Sequence, residues 1–374
     1  MERMKSATWR GGLAAAALLG AAGAAADTPL VSPETPPSGL AACAALADDR
    51  ERLACYDRLA GRLAPPGQAG PAVSPVAAPS AGLPAPGAAA DGEPRSAATG
   101  AGLWLRYWEL ERADKRGTYR FQTYRPNFLL PVHHTSRVNQ DPSSPTRDGP
   151  GNLPDYKHLG AKLQLSIRTK LFEGLLLPEG DLWFGYTQQS LWQVWNPRES
   201  APFRSTDYEP ELIYVAPVPG PLRRLPGGWQ WRMAQLGLSH QSNGQAEPLS
   251  RSWNRVYLGA GFERGEVSVL ARVLRRLPES SDDDDNPDLT HYRGRADLAL
   301  TWVPGRATAS LLYRSNLREI DRGALQLDWT YPVDTSNPRG LRWYVQLFHG
   351  YGETLLDYNV RQTSLGLGLT LFEF

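Results

Sequence analysis

Lys162-Leu-Gln-Leu-Ser-Ile-Arg-Thr-Lys-Leu171 sets Leu163, Leu165, Ile167 and Leu171 on one side of an extended chain and Lys162, Gln164, Ser166, Arg168 and Lys170 on the other. Strand side chains alternate between faces, so this stretch reads as a β-strand with one apolar and one polar face. The pattern returns in Leu325, Leu327, Trp329 and Tyr331 against Gln326, Asp328 and Thr330, and again in Leu341, Trp343, Val345 and Leu347. Further strands are expected near 119–130, 181–195, 207–216, 229–242, 252–263, 266–276, 290–303, 306–315 and 361–374, making about twelve in all.

Alternation alone fits either a soluble sandwich or a membrane barrel. Aromatic residues at strand ends (Trp183, Trp195, Trp229, Trp231, Trp302, Tyr313) and the terminal Phe374 favour the barrel, whose closure also leaves no free sheet edge. One feature fits poorly. Leu365, Leu367, Leu369 and Leu371 run on the parity opposite to Phe372 and Phe374, which calls for a bulge or an end effect.

The N-terminus points to export. Arg3, Lys5 and Arg10 precede an apolar stretch from Leu13 to Leu19 and an Ala24-Ala25-Ala26 site, the layout of a secretory signal over residues 1–26. The alternative, a membrane anchor, suffers from an apolar segment too short to span. Residues 27–64 then read as a small periplasmic helical hairpin around Asp48-Asp49. In an oxidising compartment a Cys43–Cys55 disulfide would close a loop of about a dozen residues and stabilise it by roughly 3 kcal/mol; two cysteines alone make a poor metal site. Residues 65–100, almost entirely Pro, Ala and Gly, read as a semi-extended linker, leaving 101–374 for the barrel.

The 374 residues carry 40 basic and 39 acidic side chains, which removes the basic field expected of a nucleic-acid binder. Beyond the N-terminus no apolar run reaches the roughly 20 residues of a membrane helix, which leaves strands as the means of crossing.

The residues with chemical potential emerge from the same parity. Ala234, Leu236 and Leu238 share a face with His240 and Ser242, while Gln235, Ser239 and Gln241 occupy the other. On the following strand Val256, Leu258, Ala260 and Phe262 share a face with Asn254 and Ser252, so in an antiparallel hairpin Asn254 can lie beside His240. A serine hydroxyl becomes a nucleophile when an imidazole accepts its proton, and a third group must hold that imidazole in one tautomer. Parity alone leaves open the plainer reading, an interfacial histidine that reaches water.

The stretch from His240-Gln-Ser-Asn-Gly through Ser250-Arg-Ser-Trp-Asn254-Arg resembles the active-site motif of the outer-membrane phospholipase A family. Tyr186-Thr-Gln-Gln-Ser-Leu-Trp-Gln193, Ser200-Ala-Pro-Phe-Arg204 and Tyr208-Glu-Pro form a second block of resemblance, and Gly350-Tyr-Gly-Glu353 through Asp357-Tyr-Asn a third. The resemblance spans most of residues 104–374. It implies an all-β fold, a twelve-stranded antiparallel transmembrane barrel in the cell outer membrane. It further implies hydrolysis of phospholipid acyl esters (phospholipase A1, A2 and lysophospholipase) that requires calcium and dimerisation. Ser242 falls on the family's nucleophile, His240 on its general base and Asn254 on its orienting amide. Its catalytic calcium ligands fall on the Ser250 hydroxyl, the Gln245 backbone carbonyl and a Ser200 carbonyl of the partner subunit; position 245 is often Arg in relatives. A second calcium site maps to Glu247, usually Asp, and Asp285, for which the alternative is a solvated acidic loop at Asp282–Asp285. The dimer-interface glutamine aligns with Gln188, an amide that by parity faces lipid beside Leu182, Phe184, Tyr186 and Trp192, unless it sits high enough to reach headgroups. The rival readings are a diffusion porin and a structural barrel without catalysis.

Overall fold

A computed structural model describes residues 43–59, 102–151, 154–201, 203–338 and 340–371. The expected signal segment, the linker and Phe374 lie outside them. The chain divides into residues 1–87 and 88–374. In the first unit, helix α1 (Asp49–Leu59) is capped by Asp48, whose carboxylate accepts the Arg50 and Glu51 amide N–H groups at 2.9 and 3.1 Å. The expected Cys43–Cys55 disulfide joins the turn before α1 to its middle.

The second unit is a closed antiparallel barrel of twelve long strands. They are β1 (Asn127–Thr135), β2 (Leu159–Phe172), β3 (Asp181–Trp192), β4 (Ser205–Pro217), β5 (Gln230–Ser242), β6 (Ser252–Arg264), β7 (Val267–Arg276), β8 (Ala296–Trp302), β9 (Thr308–Ser315), β10 (Ala324–Pro332), β11 (Leu341–Gly350) and β12 (Gln362–Leu371). Each pairs with the next, and β12 pairs with β1, so the sheet has no free edge. Polarity is inverted relative to a soluble protein. Leu238 and Leu258, 45% and 60% exposed, project outward, whereas Gln235, Ser239 and Arg255 point into the lumen.

Two expected strands are cut short. Of 119–130 only Gln122–Thr123 and the residues from 127 onward are extended. Pro126 lacks a backbone donor for the ladder, and Tyr124 turns inward to donate its hydroxyl to Glu211 at 2.7 Å. Residues 289–292, expected to begin a strand, form a short helix whose Leu289 is fully buried; the strand restarts at Ala296 after Gly294, φ 105°, where a Cβ would stand 2.6 Å from the Ser315 carbonyl oxygen. The parity break expected between Leu371 and Phe372 or Phe374 lies outside the described residues, and the bulge that is seen belongs to the neighbouring strand. Between Leu367↔Val132 and Leu369↔Leu129, β1 carries one extra residue at Leu130-Pro131, and β12 keeps its parity through Leu371.

Charged residues line the lumen around a cavity of about 320 Å³. Arg125 binds both carboxylate oxygens of Glu209 at 2.9 Å and reaches Glu211 at 2.7 Å, and Arg255 also pairs with Glu209. At the end remote from Ser242, helix α2 (Leu103–Tyr107) inserts Trp104, Tyr107 and, just beyond it, Trp108 among Tyr124, Ile213 and Met233. Trp183, expected at the lipid interface, is fully buried in this cluster, edge-on to Trp108 at 5.5 Å. Its neighbours Leu182 and Phe184 face outward, so parity puts Trp183 inside. Trp195 and Trp302 do lie exposed, as an interfacial aromatic requires.

Candidate active site

Strands β5 and β6 pair with His240 directly opposite Asn254 and Ser242 opposite Ser252. The apolar parity that exposes Leu236 and Leu238 continues to His240, which is exposed, and to the half-buried Ser242 at the end of β5. His240 Nδ1 lies 2.9 Å from Asn254 Oδ1. A carbonyl oxygen only accepts, so this contact requires a proton on Nδ1 and leaves Nε2 as the ring's free acceptor. The amide is itself held from behind: Asn254 Nδ2 donates to Glu279 Oε1 at 2.9 Å, and Glu279 Oε2 receives Arg276 at 2.7 Å. Sequence reading did not single out Glu279, which lies in the turn after β7 with nothing in its surroundings to mark it.

The loop from Asn243 to Arg251 is fixed from within. The Asn243 side chain is buried; its Oδ1 accepts the Arg251 N–H at 2.9 Å and its Nδ2 donates to the Leu249 carbonyl at 2.7 Å. Gly244 has φ 63°, and a Cβ there would stand 3.0 Å from the Tyr208 ring. The fully buried Arg251 guanidinium donates to the carbonyls of Pro248, Ser250 and Pro142. Burial pulls its pKa below the usual guanidinium value, with the neighbouring Tyr358 and Asp285 acting in the opposite sense.

The residues matched to a calcium site lie partly together. Ser250 Oγ donates to Asp285 Oδ2. The Gln245 side-chain oxygen is buried without a partner, and among the described residues no hydrogen bond reaches its backbone carbonyl. Hydroxyl and carbonyl oxygens are the hard donors that calcium takes, so this set fits it. The Ser200 carbonyl accepts Trp192 Nε1 at 2.6 Å within its own chain. Glu247 and Asp285 are brought together by Arg147, which lies 2.9 Å from each carboxylate. The guanidinium supplies the positive charge between them, so a cation binding both would have to displace it.

Gln188 faces outward on β3, where its Oε1 accepts the Tyr186 hydroxyl at 3.2 Å. Register places Gln188 opposite Tyr208, Tyr208 opposite Ser242, and Ser242 opposite Ser252. These residues form one row across four strands, with Gln188 roughly 10 Å from Ser242 at the usual strand spacing.

The second and third blocks of resemblance meet at this end of the barrel. Arg204 grips Asp357 through both oxygens, at 2.6 and 2.9 Å, and Asp207 accepts the Leu355 N–H at 2.8 Å. Glu353 is buried among His133 at 2.9 Å, Lys162 at 3.0 Å, Gln362 at 2.7 Å and Ser364 at 2.8 Å. Burial alone would raise its pKa; Lys162 and His133 outweigh it and hold the carboxyl well below its usual range.

A twelve-stranded barrel with an aromatic plug at one end of its lumen and Ser, His and Asn on its outer face defines a class: an outer-membrane-type barrel that carries a polar cluster on its outward wall. Residues 105–371 match the model of the family described as phospholipase A1. A relative from Neisseria meningitidis is 38% identical over 354 residues, covering 87% of this chain and 89% of its own. The phospholipase A1 of Salmonella typhimurium is 37% identical over 248 residues, covering 66% of this chain and 80% of its own. Among solved structures, the calcium-bound dimer of the Salmonella typhi outer membrane phospholipase aligns with a TM-score of 0.62 at 31% identity, over 72% of this chain and 97% of that one. The Escherichia coli outer membrane phospholipase A aligns at 0.60 and 32%, over 68% of this chain and all of that one. The chain belongs to the phospholipase A1 family.

Proposed function

We propose that this protein is a calcium-dependent phospholipase A of the outer membrane that cleaves acyl esters through Ser242, His240 and Asn254. The carrying observation is the 2.9 Å contact between His240 Nδ1 and Asn254 Oδ1 on the lipid-facing side, one alternation from Ser242. The Ser242 proton passes to His240 Nε2 as Oγ bonds to the ester carbonyl carbon. The ester C–O bond to glycerol then breaks, the leaving oxygen takes the proton from His240, and the acyl group stays on Ser242. Water gives its proton to His240 and its hydroxyl to the acyl carbon, releasing a fatty acid and restoring Ser242. Asn254 keeps Nε2 directed at the hydroxyl. An uncharged amide stabilises the imidazolium less than a carboxylate would, but it avoids a lone charge beside lipid.

Ser250 Oγ and the Gln245 carbonyl would hold calcium, with Ser200 of the partner subunit completing the set. When bound, calcium would polarise the ester carbonyl and stabilise the developing oxyanion. In this reading the active form is a homodimer joined at the face around Gln188, an arrangement that keeps the monomer silent in an intact membrane. Residues 1–26 are removed on export, and residues 27–64 stand in the periplasm, tethered by the linker of 65–100. The porin reading is disfavoured by the ion pairs and aromatic plug in the lumen.

The test is Ser242→Ala, assayed on dispersed phospholipid with calcium and again with excess chelator. Hydrolysis should fall by orders of magnitude in the variant, and in the parent protein on chelation, with heat-modifiable barrel migration unchanged. An active Ser242→Ala variant would overturn the nucleophile, and full activity in chelator would overturn the metal.

A further inference from the structure

We infer that Glu279 is a positioning residue for hydrolysis, fixing which end of the Asn254 amide faces His240. The inference rests on the Ser242, His240 and Asn254 reading and extends it one residue outward. An asparagine amide offers an acceptor oxygen at one end and a donor nitrogen at the other, and the two orientations have nearly the same shape. With the oxygen toward the ring, Nδ1 keeps its proton and Nε2 is the base. With the nitrogen toward the ring, Nδ1 becomes the acceptor, the proton moves to Nε2, and no base faces Ser242. Some further group must choose between the two.

Glu279 makes that choice. Its carboxylate only accepts, so the 2.9 Å contact at Oε1 turns Nδ2 away from the ring and leaves Oδ1 directed at His240. Glu279 is held in turn: Arg276 donates to Oε2 at 2.7 Å, and the same guanidinium reaches Asp284 at 2.6 Å and the Asn286 carbonyl at 2.6 Å. The Asn254 carbonyl accepts the Leu277 N–H at 2.8 Å, which ties the turn carrying Glu279 to β6. The Glu279 side chain is 14% exposed and that of Arg276 12%, so the contacts are sheltered from bulk water. The carboxylate also sets a negative charge one residue behind an orienting group that has none. The chain His240, Asn254, Glu279, Arg276 thus runs from the lipid face to the acidic turn at Asp282–Asp285.

Glu279→Gln preserves the volume but converts one oxygen to an NH₂ group. Arg276 retains the remaining oxygen, so the NH₂ group meets Asn254 and favours the wrong amide orientation. The expected result is a fall in kcat of about 10-fold in both Glu279→Gln and Glu279→Ala, with KM unchanged and barrel migration intact. In an Asn254→Ala background neither substitution should reduce kcat further, because the amide through which Glu279 acts is gone. A loop-anchoring role would tolerate the isosteric glutamine and persist without Asn254. The inference is overturned if Glu279→Gln keeps kcat within twofold of the parent, or if the loss is equally large in the Asn254→Ala background. Either result, combined with an inactive Ser242→Ala variant, removes Glu279 alone and leaves the hydrolase reading in place.

Discussion

Replacing Asn254 by alanine isolates what orientation contributes to a base that is otherwise intact. In the proposed mechanism the 2.9 Å contact to His240 Nδ1 becomes a hydrogen bond to a charged group when the ring takes the Ser242 proton. Such bonds contribute about 1.5–3 kcal/mol, which at about 1.4 kcal/mol per decade is a 10- to 150-fold loss in kcat. His240→Ala removes the base itself and should cost more, since general-base catalysis alone contributes about 10²–10⁴. Asn254→Asp is the informative companion. Aspartate would still accept from Nδ1 but could not donate to Glu279, and two carboxylates would face each other across 2.9 Å unless they shared a proton. Asn254→Asp should therefore not exceed the parent protein at neutral pH, and it should recover activity when combined with Glu279→Gln. The assay is initial-rate hydrolysis of micellar phospholipid at saturating calcium for the parent, the three single variants and the double variant. Losses equal in Asn254→Ala and His240→Ala would refute orientation as the role of the amide. An Asn254→Asp variant faster than the parent would refute the account of why an amide stands there.

Two further outcomes follow from the barrel wall and its mouth. Gln188→Ala removes an outward amide in the same cross-strand row as Ser242; chemical crosslinking of the proposed dimer in membranes should drop, by an amount consistent with about 1 kcal/mol of coupling, while monomer folding is unchanged. Undiminished crosslinking would place the dimer contact elsewhere. Glu353 carries a depressed pKa in the folded state, so its contribution is full above the unfolded carboxyl value near 4.3 and is lost as pH falls below it. Thermal unfolding in detergent should show stability declining through that range in the parent and a flatter profile in Glu353→Gln. At neutral pH Glu353→Gln should be less stable by about 3–5 kcal/mol, since buried Lys162 loses its charged partner; equal melting of parent and variant at neutral pH would refute the assignment.

The strands were legible because alternation is a local property, and a lipid-facing strand must obey it along its whole length. It failed where the backbone leaves the ladder, at Pro126, at the extra residue Leu130-Pro131, and over the buried helical turn at Leu289. Each is decided by what the segment packs against in the closed barrel. Trp183 departs for a different reason. Its parity relative to Leu182 and Phe184 assigned it to the lumen, but aromatic character at a strand end suggested the interface. The outward direction of His240 and Ser242 and the register with Asn254 were legible from the same parity, since a short hairpin leaves little freedom in pairing. Glu279 and Arg147 were not. Arg147 meets Asp285 across 138 positions, and no spacing rule carries that far.

The blocks of resemblance therefore combine two kinds of constraint. The block from His240 to Asn254 holds the proposed reacting groups. The blocks around Arg204 and from Gly350 to Asp357 interlock at the barrel mouth through Arg204–Asp357 and Asp207–Leu355, and Lys162 of β2 pairs with Glu353 beside them. A nucleophile on the outside of a barrel has no enclosing pocket to hold it, so its precision must come from the strand end beneath it. Ser242 is the last residue of β5, and its partner in the row, Tyr208, follows Asp207 by one position. Fixing Asp207 to the loop after β11 thus fixes the backbone beside Ser242 from the lumen side, while the outer side, where the proposed substrate would arrive, stays open. On the proposed mechanism, that division of labour gives the buried ion pairs beside the His240–Asn254 stretch a role that offsets the desolvation they cost.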